Sequence, residues 1–98
     1  MNDERLDATV HGRVQGVGFR YFVIHRAMAL DLTGWVANEA DGTVRCVAEG
    51  PRVALDGLVE ALEAGPAGAL VERVSTAFGP ASGRFASFEV RGSGHRGD

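Results

Sequence analysis

Ninety-eight residues, 45% hydrophobic and 23% charged, suit one compact domain with short loops and are too apolar for a disordered chain. All ten Lys-plus-Arg positions are arginine, which excludes a Schiff-base lysine, a P-loop lysine and a kinase-style lysine clamp, so any anion must be held by arginine, backbone N–H groups or a metal. The net charge of −3 argues against a protein that neutralises many phosphates of a nucleic-acid backbone, while leaving a small local anion site open. The single cysteine, Cys46, cannot form an internal disulfide. With no apolar signal region at Met1 to Asp7 and no apolar run of membrane-spanning length, the chain reads as cytoplasmic, without a membrane partner.

From Leu6 to Val14 the even positions Leu6, Ala8, Val10, Gly12 and Val14 alternate with Asp7, Thr9, His11 and Arg13, the period of a half-buried strand. Gln15-Gly16-Val17-Gly18-Phe19 interrupts that period with two glycines. From Arg20 to Leu30, Tyr21, Val23, Ile24, Ala27, Met28 and Leu30 are predicted to gather on one helical face. Gly34 to Ala40 and Thr43 to Glu49 read as two short antiparallel strands joined by a tight two-residue turn at Asp41-Gly42. Pro51 at a first turn, Leu55, Leu58, Val59 and Leu62 at helical spacing, and Gly65-Pro66 as a stop predict a second helix, with Arg52, Asp56, Glu60 and Glu63 on its solvated face. Val71 to Phe78 reads as a strand and Phe85 to Val90 as a shorter one. Trp35, Phe19, Phe78, Phe85 and Phe88 are expected to be packing residues. The order predicts an α+β, ferredoxin-like βαββαβ sandwich: an antiparallel sheet, two helices on one face, and a short extra C-terminal strand. Residues 1–98 are read as a single domain with a core of about 6–91 and loose tails over the first five residues and from Gly92 to Asp98.

This fold hosts unrelated activities, so function must come from a site. Gly12-Arg13-Val14-Gln15-Gly16-Val17-Gly18-Phe19-Arg20 places glycines where a strand turns into a helix. The first N–H groups of a helix lack intrahelical partners and sit at the positive end of its dipole, so they can converge on an anion. Glycine permits the close approach and positive φ that such a cradle needs. Arg20 can add a planar guanidinium that takes two phosphate oxygens. The same stretch also fits a glycine-rich turn followed by a solvated arginine. In Gly34-Trp35-Val36-Ala37-Asn38, the Asn38 amide could hold a water by donating and accepting together. Taken alone, it equally suits a strand-end residue that begins the Asp41-Gly42 turn.

Three other patterns are weaker. Cys46-Val47-Ala48-Glu49-Gly50-Pro51-Arg52 has the Cys-x5-Arg spacing of cysteine-dependent phosphatases. However, Cys46 falls on the apolar side of its strand, Pro51 removes an amide from the cradle, and no Ser or Thr follows Arg52. Gly16-Val17-Gly18 begins a dinucleotide fingerprint whose third glycine position is Tyr21. Gly18-Phe19-Arg20-Tyr21-Phe22-Val23 has the aromatic look of an RNA-binding strand but lies at a helix entry. His11, His25 and His95 show no metal-ligand spacing and read as solvated, and the acidic helix face suggests no divalent-ion site.

The glycine stretch and Gly34-Trp35-Val36-Ala37-Asn38 together resemble the paired signatures of the acylphosphatases. The resemblance extends to the leucine-rich approach to Gly34, the Asp41-Gly42 turn, Glu49-Gly50 and the closing Phe85-x-x-Phe88-Glu89-Val90. It implies a ferredoxin-like hydrolase of carboxyl-phosphate anhydrides that acts on a small acyl phosphate. The implied catalytic residues are Arg20 and Asn38, the latter positioning a water. The phosphate cradle would run through Gln15, Gly16, Val17, Gly18, Phe19 and Arg20. No metal and no cofactor are implied, and the expected protein is a monomer without a nucleic-acid partner. Gly18 and Ala37 differ from common members, which carry a larger residue at the first position and a basic or polar one at the second. A non-catalytic phosphate- or acyl-phosphate-binding module of the same fold is the alternative.

Overall fold

The structure, a computed structural model, describes residues 2–92. His95 and the rest of the expected C-terminal tail beyond Gly92 lie outside the described residues. The elements run β1 (Glu4–Arg13), α1 (Phe19–Ala29), β2 (Thr33–Asn38), β3 (Val44–Gly50), α2 (Arg52–Ala64), β4 (Leu70–Pro80) and β5 (Phe88–Arg91). The α+β ferredoxin-like order is as expected. β1 begins at Glu4, which pairs with Gly50 and Pro80, so Glu4 and Arg5 are ladder residues and not tail.

Alternation along the strands builds the core. Leu6, Ala8 and Val10 of β1, Val36 of β2 and Val44, Cys46 and Ala48 of β3 are all buried and form one cluster with the helices. Each helix meets them with a single stripe: Phe19, Val23 and Ala27 from α1, Leu55, Leu58 and Leu62 from α2. Tyr21 and Met28 were expected on the buried face but are 62% and 60% exposed. With 3.6 residues per turn, positions two and nine beyond Phe19 lie about 200° and 180° round the helix from it.

The sheet order is β4-β1-β3-β2-β5. The first four strands pair antiparallel, whereas β5 lies parallel to β2, so the sheet is mixed and not purely antiparallel as predicted. The cause is topological. β4 and β5 occupy opposite edges, and residues 81–87 cross the sheet at the end where β4 finishes and β2 starts, so β5 sets off in the direction of β2.

Glu49 holds that crossing in place. It is only 4% exposed, and its carboxylate accepts from Ser82 N–H at 2.8 Å, Ser82 Oγ at 2.8 Å and Gly83 N–H at 2.9 Å, with Arg5 Nη1 at 3.6 Å. Burial pushes this carboxyl up, but the hydrogen bonds from Ser82 and Gly83 and the Arg5 charge outweigh it and hold the group below its ordinary range.

The hairpin between β2 and β3 is wider than the predicted two-residue turn. Asn38 and Val44 form its last ladder pair, leaving residues 39–43 as the loop. Gly42 N–H donates to Glu39 O at 3.1 Å, while the Asp41 carboxylate accepts from Thr43 N–H at 3.0 Å and Thr43 Oγ1 at 2.7 Å. Asp41 thus adds a side-chain turn to the backbone one. The hydrogen bonds from the Thr43 hydroxyl and N–H hold its carboxyl below the ordinary value.

Trp35, expected in the core, lies on the helix-free face. Gly34, Val36 and Asn38 take the helix side of β2, so Thr33, Trp35 and Ala37 take the other. The indole is half-buried between the guanidinium carbons of Arg45 at 5.6 Å and Arg91 at 4.8 Å. Arg45 also forms a bidentate pair with Asp7 at 3.1 and 2.6 Å.

Gly34 (φ 139°) packs backbone against backbone, and a Cβ there would run into the Val47 carbonyl. Gly34→Ala should therefore cost about 3 kcal/mol in urea unfolding, through overpacking and backbone strain combined. Glu49→Gln should cost about 2 kcal/mol at neutral pH. Because the folded-state carboxyl is held low, its contribution is complete above the ordinary value of 4.5 and lost as pH falls through the folded value. The stability gap between wild type and Glu49→Gln should therefore close in acid; a gap constant with pH would show that the charge is not what holds the loop.

Candidate active site

β1, β2 and β5 all finish at the end of the sheet where α1 begins. The chain passes from β1 into α1 through residues 14–18, with Gly16 at φ 75° and Gly18, the N-cap, at φ 76°. Gly18 offers no side-chain cap, and Phe22 N–H to Gly18 O at 3.0 Å is the first hydrogen bond of the helix. The earlier amides project from the helix start, where the dipole favours an anion. A Cβ at Gly18 would meet nothing within 4 Å, so left-handed backbone, not lack of space, is what favours glycine there.

A hollow of about 110 Å³ sits at this junction, lined by Val14, Gly16, Gly18, Phe19, Arg20, Tyr21 and Asn38. It is far below the roughly 300 Å³ at which drug-sized ligand sites begin, and suits a phosphoryl group. Two concavities of more than 600 Å³ are worse places for an anion. One of about 610 Å³ is lined by Asp7, Glu39 and Asp41 against the single cation Arg45. The other, about 690 Å³, contains Asp3 and Glu49.

Arg20 and Asn38, far apart in sequence, thus reach one hollow with Gly16, Gly18 and Phe19. Asn38 arrives because it continues the helix-facing phase of β2, and it is only 6% exposed. Arg20, partly exposed, donates from Nη1 to the Arg91 carbonyl at 3.1 Å. Sequence reading missed that anchor: the strand pattern near the C-terminus was visible, but its parallel docking beside β2 was not. Gln15 and Val17 do not line the hollow. Val17 packs against the core, and the Gln15 amide donates to the carbonyls of Glu39 at 2.7 Å and Thr43 at 2.9 Å.

The cysteine pattern does not form a site. Cys46 is wholly buried in the core, where loss of hydration, with a smaller contribution from the Asp7 charge, pushes its thiol up to about 12. Arg52 is bound to Asp56 and Glu4, each at 3.1 Å, with its guanidinium carbon 3.7 Å from the centre of the Phe78 ring. Among the described residues, no group of three or more His, Cys, Asp and Glu could hold a metal ion. Also among them, no helix is long and apolar enough to cross a membrane.

The structure thus gathers a glycine-hinged helix start, an arginine and an amide around one small hollow in a compact α+β domain. A family model described as Acylphosphatase matches residues 6–90, and the chain belongs to the acylphosphatase family and is an enzyme of that class. It is 52% identical over 89 residues to an acylphosphatase of Salinibacter ruber, covering 91% of this chain and 94% of that protein. To one of Syntrophotalea carbinolica it is 45% identical, over 93% of this chain and 99% of that one. The crystal structure of acylphosphatase from Bacillus subtilis superposes with a TM-score of 0.87 at 40% identity, covering 90% of this chain and 98% of that chain. The same fold forms part of full-length HypF, where a TM-score of 0.85 at 24% identity spans 93% of this chain but 12% of that one.

Cys46 is wholly buried and does not line the hollow. Cys46→Ala should keep wild-type turnover, and the native protein should resist iodoacetamide at neutral pH; inactivation by either would return a thiol to the reaction.

Proposed function

We propose that this acylphosphatase hydrolyses acyl phosphates through Arg20, the 15–20 loop and Asn38. The observation that carries the reading is the convergence of Arg20, Gly16, Gly18, Phe19 and Asn38 on one small hollow. The phosphoryl oxygens sit against the Arg20 guanidinium and the backbone N–H groups from Gln15 to Arg20. These donors are preorganised, so they stabilise developing charge with little rearrangement during reaction. The carbonyl of Arg91 keeps the guanidinium directed, at the cost of one of its five donors.

Asn38 orients the attacking water in line with the departing acyl oxygen. Its amide donates and accepts without changing protonation state, so it fixes orientation instead of acting as a base. The leaving group departs as a carboxylate whose conjugate acid has a pKa near ~4, so no strong general acid is needed. The water gives its proton to a phosphoryl oxygen of the substrate; a P–O bond forms to water, the P–O bond to the acyl group breaks, and carboxylate and phosphate result. The chemistry calls for no metal as a Lewis acid, because arginine and amides perform the charge stabilisation. The reading takes the protein as a cytoplasmic monomer without nucleic-acid or membrane partners; the net charge of −3 argues against a nucleic-acid partner.

Benzoyl phosphate hydrolysis, measured with chelator present, tests these roles. Arg20→Ala should lose about a thousandfold in kcat/KM and bind inorganic phosphate poorly. Arg20→Lys should remain poor because an ammonium cannot reproduce the planar fork. Asn38→Ala should lose kcat by about a hundredfold or more while keeping phosphate inhibition. Wild-type turnover by Asn38→Ala would remove Asn38 from the mechanism, and chelator sensitivity would remove its metal-free form.

A further inference from the structure

The two halves of the site stand on different elements: Arg20 and the loop amides on the β1–α1 connection, Asn38 at the end of β2. In-line attack depends on their relative placement, and a misplacement of about 1 Å can cost about a hundredfold in rate. The structure contains a direct tie between them. Gln15 Nε2 donates to Glu39 O at 2.7 Å and to Thr43 O at 2.9 Å. Glu39 follows Asn38, and Thr43 precedes Val44, the ladder partner of Asn38. The acceptors therefore flank the Asn38–Val44 pair, and one amide nitrogen engages both with its two hydrogens.

The hairpin does not need Gln15 to close. Glu39 N–H donates to Thr43 O at 2.8 Å, Gly42 N–H donates to Glu39 O at 3.1 Å, and Asp41 clasps Thr43. What Gln15 adds is a bond between that closed hairpin and the residue that opens the phosphate loop.

We propose that Gln15 is a positioning residue for hydrolysis: its side-chain amide locks the Asn38 end of β2 to the phosphate loop and so keeps the attacking water in line with phosphorus. The proposal rests on the roles given above to Arg20 and Asn38. A neutral group with two N–H donors suits the position, since both partners are carbonyl oxygens and the neighbouring site receives an anion. A carboxylate there would face two acceptors and repel the substrate.

Benzoyl phosphate kinetics and inhibition by inorganic phosphate, on the intact chain, separate this role from its rivals. Gln15→Met keeps the length and removes the donors. It should lower kcat about tenfold and leave the phosphate inhibition constant within about twofold. In an Asn38→Ala background the same substitution should lower kcat no further, because its effect passes through Asn38. A fall in urea midpoint with unchanged kcat would reduce Gln15 to a structural role and overturn the proposal. So would a rise in the phosphate inhibition constant matching the loss of rate, which marks direct phosphate contact, or losses that multiply in the double variant. If Gln15→Met does not fold, Gln15→Asn, whose amide is withdrawn by one methylene, must show the same split. Wild-type kcat in Asn38→Ala alone would instead bring down the underlying reading, a result separate from failure at Gln15.

Discussion

The reversal from β1 into α1 through left-handed glycine is the constraint on which the site depends. A side-chain N-cap would place its own oxygen over the opening amides of the helix. Gly18 does not, and with φ at 76° it turns the chain sharply enough for the helix to start beside the strand ends. The burial of Phe19, Val23 and Ala27 then sets the rotation of α1, and with it the direction in which Arg20 leaves the helix. Packing thus aims the guanidinium before any ligand arrives. The loop and the core are parts of one device, since the residue that begins the buried stripe, Phe19, also lines the hollow.

The opposite end of the sheet contributes through β5. Glu49 gathers Ser82 and Gly83, fixing the crossing that delivers β5 to the free edge of β2, and Arg91 at the end of β5 offers its carbonyl to Arg20. A buried carboxylate at one end of the molecule is thereby linked through β5 to the end where the hollow lies. The Asp7–Arg45 pair and the arginines flanking Trp35 cover the helix-free face. Being more than a third exposed, the Asp7–Arg45 pair adds little net stability despite its bidentate geometry.

Local pattern made much of this legible. The alternation Leu6, Ala8, Val10 located β1, the leucines of α2 located that helix, and the glycine stretch with Arg20 and Asn38 pointed to the residues that the fold brings together. Distant events were not legible. The parallel docking of β5 follows from where the 81–87 crossing ends, which no local period encodes. The Asp41-Gly42 pair suggests a tight turn, whereas the ladder ends at Asn38–Val44 and Asp41 bonds Thr43 within a five-residue loop. Two placements have a local signal: the phase Gly34, Val36, Asn38 puts Trp35 on the other face, and the stripe from Phe19 turns Tyr21 outward.

The all-arginine composition fits the site that emerged. A lysine ammonium is a flexible point charge, whereas a guanidinium can spend one N–H on a protein carbonyl and still present a planar pair of donors to an anion. That division of donors lets Arg20 be held by Arg91 and face the hollow at once. A small domain cannot surround its ligand with many side chains, so on the proposed reading backbone amides supply the rest of the cradle. On the proposed reading the working groups are one guanidinium and one carboxamide, and the acid–base work falls to the substrate. Such a site suits a leaving group that departs as a stabilised anion.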